Sequence, residues 1–384
     1  MKKRLLCFLM IPVLLWSFRM PAGAAELELS APSAILIERS TGRILYESNA
    51  HERLRPASVT KIMTLLLIME ALEDGRIGWD DSVSTSAAAA AKGGSQIYLE
   101  ENEQLPLREM LKSIVVSSAN DCACAMAEHI AGSESAFVEM MNARAAELGM
   151  TDTHFVNCTG LDDEPEAAKH LTTAYDIALM SRELLSHDEI RDYTTIWMDT
   201  VRDGKFGLSN TNKLIRFYDG ATGLKTGYTS SAGHCLSASA QRGGMELIAV
   251  VLHCASSQER FDSAKAMLNY GFANYALVTP ELPEAAPQIP VVLGKAEFAA
   301  AVPADAAPIL TEKAKASNIT TTMTLAPSVT APVEQGQQLG TLTVRSGDTV
   351  LAEIPMTAAQ AVEKLTWLDV FVQMLQTLLM ARPG

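Results

Sequence analysis

Basic residues are scarce in this chain of 384 residues: 31 Lys and Arg stand against 45 Asp and Glu. A nucleic-acid surface needs the opposite balance, so nucleic acid is set aside as a partner. An acidic chain is also repelled by anionic lipid, so any hold on a membrane must be mainly apolar. Cysteines are few. Cys7 sits near the N-terminus, and Cys122, Cys124, Cys158, Cys235 and Cys254 follow. Five cannot all pair within one chain, which argues against a disulfide scaffold. Cys122 and Cys124 fall on a predicted helix, where i and i+2 point to different faces. No further ligands stand at zinc spacing, so buried structural thiols are expected and no metal or cofactor is called for. There is no internal repeat. No Gly-x-Ser-x-Gly elbow surrounds Ser58, so the elbow that marks many Ser-His-Asp hydrolases is missing. The seven histidines, His170 and His234 among them, read as structural or rim residues.

What is present begins with a secretory leader. Lys2-Lys3-Arg4 is basic, Leu5 to Phe18 is apolar, and Ala22-Gly23-Ala24 fits a small-x-small cleavage site. The apolar stretch, about 14 residues, is too short for a typical span. Residues 1–24 are therefore expected to be a signal peptide, with an uncleaved anchor as the alternative. Lys2, Lys3, Arg4 and Arg19 would leave with it, making the mature chain more acidic. Export places the substrate outside the cytoplasm.

The rest predicts an α+β protein. Ala34–Glu38 and Ile44–Glu47 around Ser40-Thr41-Gly42 form a hairpin. A helix runs from Ser58 to Glu73, a mostly helical region from Leu107 to Leu185, strands from Gly220 to His253, and a closing helix from Ser257. Residues 25–278 make one large domain with an antiparallel sheet and a helical region. Pro280, Pro283, Pro287 and Pro290 mark a linker over 279–290. Residues 291–357 read as a small β-sandwich domain. The last segment, 358–384, repeats Leu365, Leu368, Val372, Leu375 and Leu379 at helical spacing. Only twelve residues between Asp369 and Arg382 are uncharged, too few to span a bilayer. An amphipathic helix lying in a membrane interface is expected, against a dimerising helix or one packed on its own domain.

Three strings carry the chemistry: Ser58-Val59-Thr60-Lys61, Ser118-Ala119-Asn120 and Lys225-Thr226-Gly227. A serine hydroxyl needs a base beside it, and Lys61 shares a helical face with Ser58. Lysine acts as a base only when neutral, and at its free pKa only about one in 2,500 is neutral at pH 7. Burial and a second cation, Lys225, are expected to lower that value. Ser118 can relay a proton to the leaving nitrogen, and Asn120 can bond substrate or Lys61. Lys225 and Thr226 can hold a substrate carboxylate, while Gly227 lets substrate backbone approach. The backbone N–H groups of Ser58 and Tyr228 suit a developing oxyanion.

The set resembles the secreted D-alanyl-D-alanine carboxypeptidases, the low-molecular-mass penicillin-binding proteins of serine peptidase family S11. The likeness rests on Pro56-Ala57-Ser58-Val59-Thr60-Lys61, on Ser118-Ala119-Asn120-Asp121 and on Thr222-Gly223-Leu224-Lys225-Thr226-Gly227-Tyr228. Gly94-Ser95-Gln96 and Asn157-Cys158-Thr159-Gly160-Leu161 look like further signposts of that family. Ala119 departs from the usual glycine. The resemblance implies a serine DD-peptidase/β-lactamase-like domain with Ser58 in its cleft. It implies removal of the terminal D-alanine from peptidoglycan pentapeptides through an acyl-enzyme on Ser58, and covalent capture by β-lactam antibiotics. The leader and the terminal helix together lead one to expect the protein at the outer face of the cytoplasmic membrane. Rival readings are a class A β-lactamase, a D,D-endopeptidase and a wall-binding scaffold of low turnover. Glu164-Pro165-Glu166-Ala167-Ala168 lacks the asparagine of the β-lactamase loop, which favours the carboxypeptidase.

Overall fold

Alternation along the strands decides how the first domain is layered. A computed structural model describes residues 27–380, apart from 164 and 306. The expected signal peptide, 1–24, lies outside the described residues. The hairpin forms as β1 (Ser33–Glu38) and β2 (Ile44–Ser48). β1 is buried throughout, sending Ile35 and Ile37 into one core and Ala34 and Leu36 into another. Neighbouring residues of a strand face opposite ways, so such a strand needs cover on both sides.

Helices supply that cover. One core takes α1 (Lys61–Glu73), α2 (Leu107–Ser117) and α3 (Asn120–Ala131). The strands β3 (Ala221–Thr229), β4 (Gly233–Arg242) and β5 (Met245–Cys254) complete an antiparallel sheet of order β2-β1-β5-β4-β3. On its far face lies α4 (Ser257–Asn274), which contributes Phe261, Ala264, Met267 and Leu268 to the second core. β5 feeds both cores, with Ile248, Val250 and Leu252 on one side and Leu247, Ala249 and Val251 on the other. β3 is left at the sheet edge beside α1.

The C-terminal part is β-rich. Six strands pair in the order Ile319–Leu325, Gln338–Ser346, Thr349–Ala358, Phe298–Pro303, Gln288–Val292, Val329–Thr330. Both ends of this sheet share one core, which includes Ile289, Ala331, Leu342 and Met356. Three details differ from the sequence reading. The expected linker is already strand from Gln288. Ile309–Glu312 pairs with Tyr275–Val278, just after α4, so backbone bonds tie the two regions together. The terminal helix begins at Trp367, because Val362 is buried in the β-rich core and bridges Val333. Along that helix Trp367 is 80% exposed and Met374 60%, so it packs its apolar side on nothing among the described residues. No described helix is long and apolar enough to cross a membrane.

Candidate active site

The first string folds as a tight turn, not as plain α-helix. Residues Ala57–Thr60 form a 3-10 turn that leads into α1. Three residues per turn eclipse i and i+3. Lys61 Nζ therefore lies 3.0 Å from Ser58 Oγ and donates a second bond, 2.8 Å, to the Thr159 carbonyl. Lys61 is fully buried. Loss of hydration lowers its pKa from 10.5 to about 7, against weaker raising effects of Cys158 and Asp121. Burial, one of the two causes expected from the sequence, is thus the largest influence on Lys61. Burial first, then Lys61 and Arg260, hold Lys225 well below its usual value, and the repulsion between the two lysines is mutual.

Thr159 was missed as a site residue, although its string stood out in the sequence. Asn157 staples the loop: its Oδ1 accepts from Gly160 N–H at 2.7 Å and its Nδ2 donates to the Leu161 carbonyl at 2.9 Å. Gly160 has φ +81°, and a Cβ there would sit 1.8 Å from the Ala57 carbonyl oxygen. Only glycine lets this loop press against the nucleophile turn and present Thr159 to Lys61.

The second string sits between two helices. Ser118 caps α2 in a left-handed conformation, φ 64°, and Asn120 opens α3. Asn120 Nδ2 donates to the Gly93 carbonyl at 2.7 Å, and its backbone N–H to the Ser95 carbonyl at 2.7 Å. Asp121 holds the same loop by accepting from the N–H groups of Ile97 and Leu99, each at 3.0 Å. Asn120 does not bond Lys61, contrary to one of its expected roles, because the Gly93 carbonyl turns its amide aside. Ser118 Oγ and Asn120 Oδ1 are buried with no bonding partner. Each such group costs about 1–3 kcal/mol. Their cost is recovered when a ligand supplies the matching polar atoms.

The third string lies along β3. Lys225 is 1% exposed, with Nζ donating to the Thr226 carbonyl at 3.1 Å. Thr226 Oγ1 donates to Thr211 Oγ1 at 2.7 Å. Gly227 also lies tight against the nucleophile turn. A Cβ on it would lie 2.6 Å from the Pro56 carbonyl oxygen and 3.0 Å from Ser58 N. Its missing side chain makes room for the nucleophile turn itself, and this brings the Ser58 N–H against the strand one residue before Tyr228. Tyr228 is exposed and stacks on His234, ring centres 4.3 Å apart. Behind the strand, buried Arg260 of α4 donates to the Gly227 carbonyl at 2.9 Å. No motif in the sequence signals Arg260.

The remaining candidates fall outside this cluster. His170 is buried; its Nδ1 accepts from Val156 N–H at 3.3 Å, which leaves Nε2 to donate to Thr60 Oγ1 at 2.8 Å. Burial lowers its pKa to about 4, so it stays neutral. Glu166 pairs with Lys169 at 2.8 Å on the exposed face of a short turn, and Glu164 lies outside the described residues. Cys122, Cys124, Cys158, Cys235 and Cys254 are free and buried.

Comparison with known proteins agrees with this geometry. The family model described as D-alanyl-D-alanine carboxypeptidase, peptidase family S11, matches residues 20–256. The model for the C-terminal domain of penicillin-binding protein 5 matches residues 284–364. The D-alanyl-D-alanine carboxypeptidase DacF of Bacillus subtilis is 43% identical over 374 residues, covering 94% of this chain and 95% of its own. The structure of penicillin-binding protein 5 from Haemophilus influenzae superposes with a TM-score of 0.77 at 27% identity, over 89% of this chain and all of its own. Penicillin-binding protein D2 of Listeria monocytogenes, solved in an ampicillin-bound form, gives a TM-score of 0.59 at 31% identity over 64% of this chain and 99% of its own. With the family matched across most of its length, the chain belongs to the D-alanyl-D-alanine carboxypeptidases of serine peptidase family S11.

Proposed function

We propose that the protein is a serine-type D-Ala-D-Ala carboxypeptidase that removes the terminal D-alanine from peptidoglycan pentapeptides. The observation that carries this reading is a fully buried lysine, titrating at about 7, 3.0 Å from a serine hydroxyl. In this mechanism neutral Lys61 takes the Ser58 proton as Ser58 Oγ attacks the penultimate D-alanine carbonyl. The N–H groups of Ser58 and Tyr228 stabilise the oxyanion. Lys225 and Thr226 hold the terminal carboxylate, whose charge favours the cationic form of Lys225. Asn120 bonds the upstream peptide amide, and Gly227 keeps the Ser58 turn against the strand. Ser118 relays the proton to the leaving D-alanine nitrogen. Water then hydrolyses the ester on Ser58. A β-lactam enters the same path because its strained amide occupies the place of the scissile bond.

Domain roles follow. Residues 1–24 export the chain, 25–278 hold the chemistry, 279–290 lead into the β-rich region, and 291–357 carry most of that region. The terminal helix lies in the membrane surface: Trp367, Phe371 and Met374 are exposed apolar groups on a segment too short to span. The enzyme thus works at the outer face of the cytoplasmic membrane.

Mass spectrometry tests the chemistry. Incubation with penicillin should leave a penicilloyl group on Ser58, and incubation with a pentapeptide should release D-alanine. D-alanine release that survives Ser58→Ala would overturn the nucleophile. Rapid loss of the penicilloyl group would point to a β-lactamase instead, and cleavage of a crosslinked dimer to an endopeptidase.

A further inference from the structure

Two of the five buried thiols meet behind the catalytic groups. Cys124 lies one helical turn past Asn120 on α3, and Cys158 immediately precedes Thr159, whose carbonyl holds Lys61. One carboxylate, that of Glu134, touches both. Cys158 Sγ donates to Glu134 Oε1 at 3.2 Å, and Cys124 Sγ donates to Glu134 Oε2 at 3.8 Å. The two thiols also hydrogen-bond each other.

Among the described residues the other three thiols have no such neighbour. Cys235 and Cys254 lie on the adjacent strands β4 and β5, but Cys235 joins the core of α1 and Cys254 the core of α4, so the sheet separates them. Cys122 is two residues before Cys124 and points to a different side of α3. Glu134 tolerates the loss of both S–H donors. It keeps Lys92 Nζ at 2.6 Å and the Cys158 backbone N–H at 3.2 Å. A bond between the sulfurs therefore strands no buried charge.

We propose that Cys124 and Cys158 are a disulfide site, closed as the exported chain folds, that staples the helix of the second motif to the loop holding Lys61. Disulfides persist outside the cytoplasm, where the leader delivers the chain. Both side chains are fully buried in the folded protein, so closure belongs to folding, before the core shuts. The oxidant is a small disulfide such as oxidised glutathione. One cysteine thiolate attacks it, forming a mixed disulfide and releasing one thiol, and the second cysteine thiolate then displaces the other. The two cysteines lose two protons and two electrons, and the oxidant takes them up as two thiols. Closing a loop of about 35 residues constrains the unfolded chain and so stabilises the folded one.

The test refolds the full-length protein in a glutathione redox buffer and, separately, in dithiothreitol. Each sample is alkylated with N-ethylmaleimide in denaturant, digested and mapped by mass spectrometry. The oxidised sample should yield a peptide pair joined through Cys124 and Cys158, with Cys122, Cys235 and Cys254 alkylated. It should melt about 5–15 °C above the reduced sample. Cys124→Ala should abolish both the joined peptide and the difference in melting, and Cys235→Ala should keep both. Alkylation of all five thiols in the oxidised wild-type protein, or a bond through any other pair, overturns the site, even if Cys124→Ala fails to fold. A joined peptide with no rise in melting temperature overturns the staple.

Discussion

A base that works only when uncharged makes pH the most informative perturbation of this site. Lys61 titrates at about 7 because burial strips its ammonium of water. At pH 6 about one Lys61 in eleven is neutral, and at pH 8 about ten in eleven. The second-order rate of Ser58 acylation by a fluorescent penicillin should therefore rise about tenfold between pH 6 and pH 8, with its midpoint near 7. The same shift reaches stability. The unfolded chain keeps this proton up to about pH 10.4, whereas the folded chain releases it near 7. Between those values the unfolded state binds more protons, so stability rises with pH. The cost, roughly 5 kcal/mol, is fully present below pH 7 and fades as the pH climbs towards 10.4. A rate that stays flat from pH 6 to 8 would mean that Lys61 is not the titrating base. A rate that climbs only above pH 9 would mean that burial does not lower its pKa.

Other perturbations address the supports of the site. Gly160→Ala puts a methyl 1.8 Å from the Ala57 carbonyl oxygen at φ +81°. Displacing Ser58 or Lys61 by an ångström should slow penicillin labelling about 100-fold, and labelling at the wild-type rate would refute the close contact. Asp121→Asn weakens the hold on Ile97 and Leu99 and should cost about 1–3 kcal/mol in urea unfolding. Because Asp121 raises the Lys61 pKa, the same change should shift the acylation midpoint to lower pH, and a shift upward would contradict the assignment. Truncation after Thr366 should give an active protein that leaves the membrane fraction, whereas truncation after Thr357 also removes Val362 from the β-rich core and should unfold that region. A chain cut after Thr366 that still sediments with membranes would sink the role given to the helix.

Much of the site was legible because its central contact is local. Ser58 and Lys61 are three residues apart, and any helical turn brings them together. The hairpin, the edge strand and the closing helix were readable from apolar spacing and from turns such as Arg242-Gly243-Gly244. Boundaries in the C-terminal part were less so. Pro287 and Pro290 read as linker, yet Pro290 sits in a strand, paired with Phe298. Val362 falls inside the segment 358–384 expected to be the amphipathic helix, yet its bridge to Val333 and its burial assign it to the β-rich core.

The sequence by itself determined the reacting groups, their order and the kind of chemistry they can do. Nucleophile, base, polar bridge and carboxylate-binding strand are properties of residue type and short spacing. Tertiary structure decided how those groups are tuned. Thr159 reaches Lys61 from 98 positions away, and Arg260 reaches Gly227 from 33. Burial is the main cause that lowers the Lys61 pKa, and burial is the sum of every segment packed around it. Gly160 and Gly227 are glycine because another part of the chain lies within a bond length or two of where their Cβ atoms would be. No local pattern encodes such a contact, since it exists only once distant segments have closed on one another.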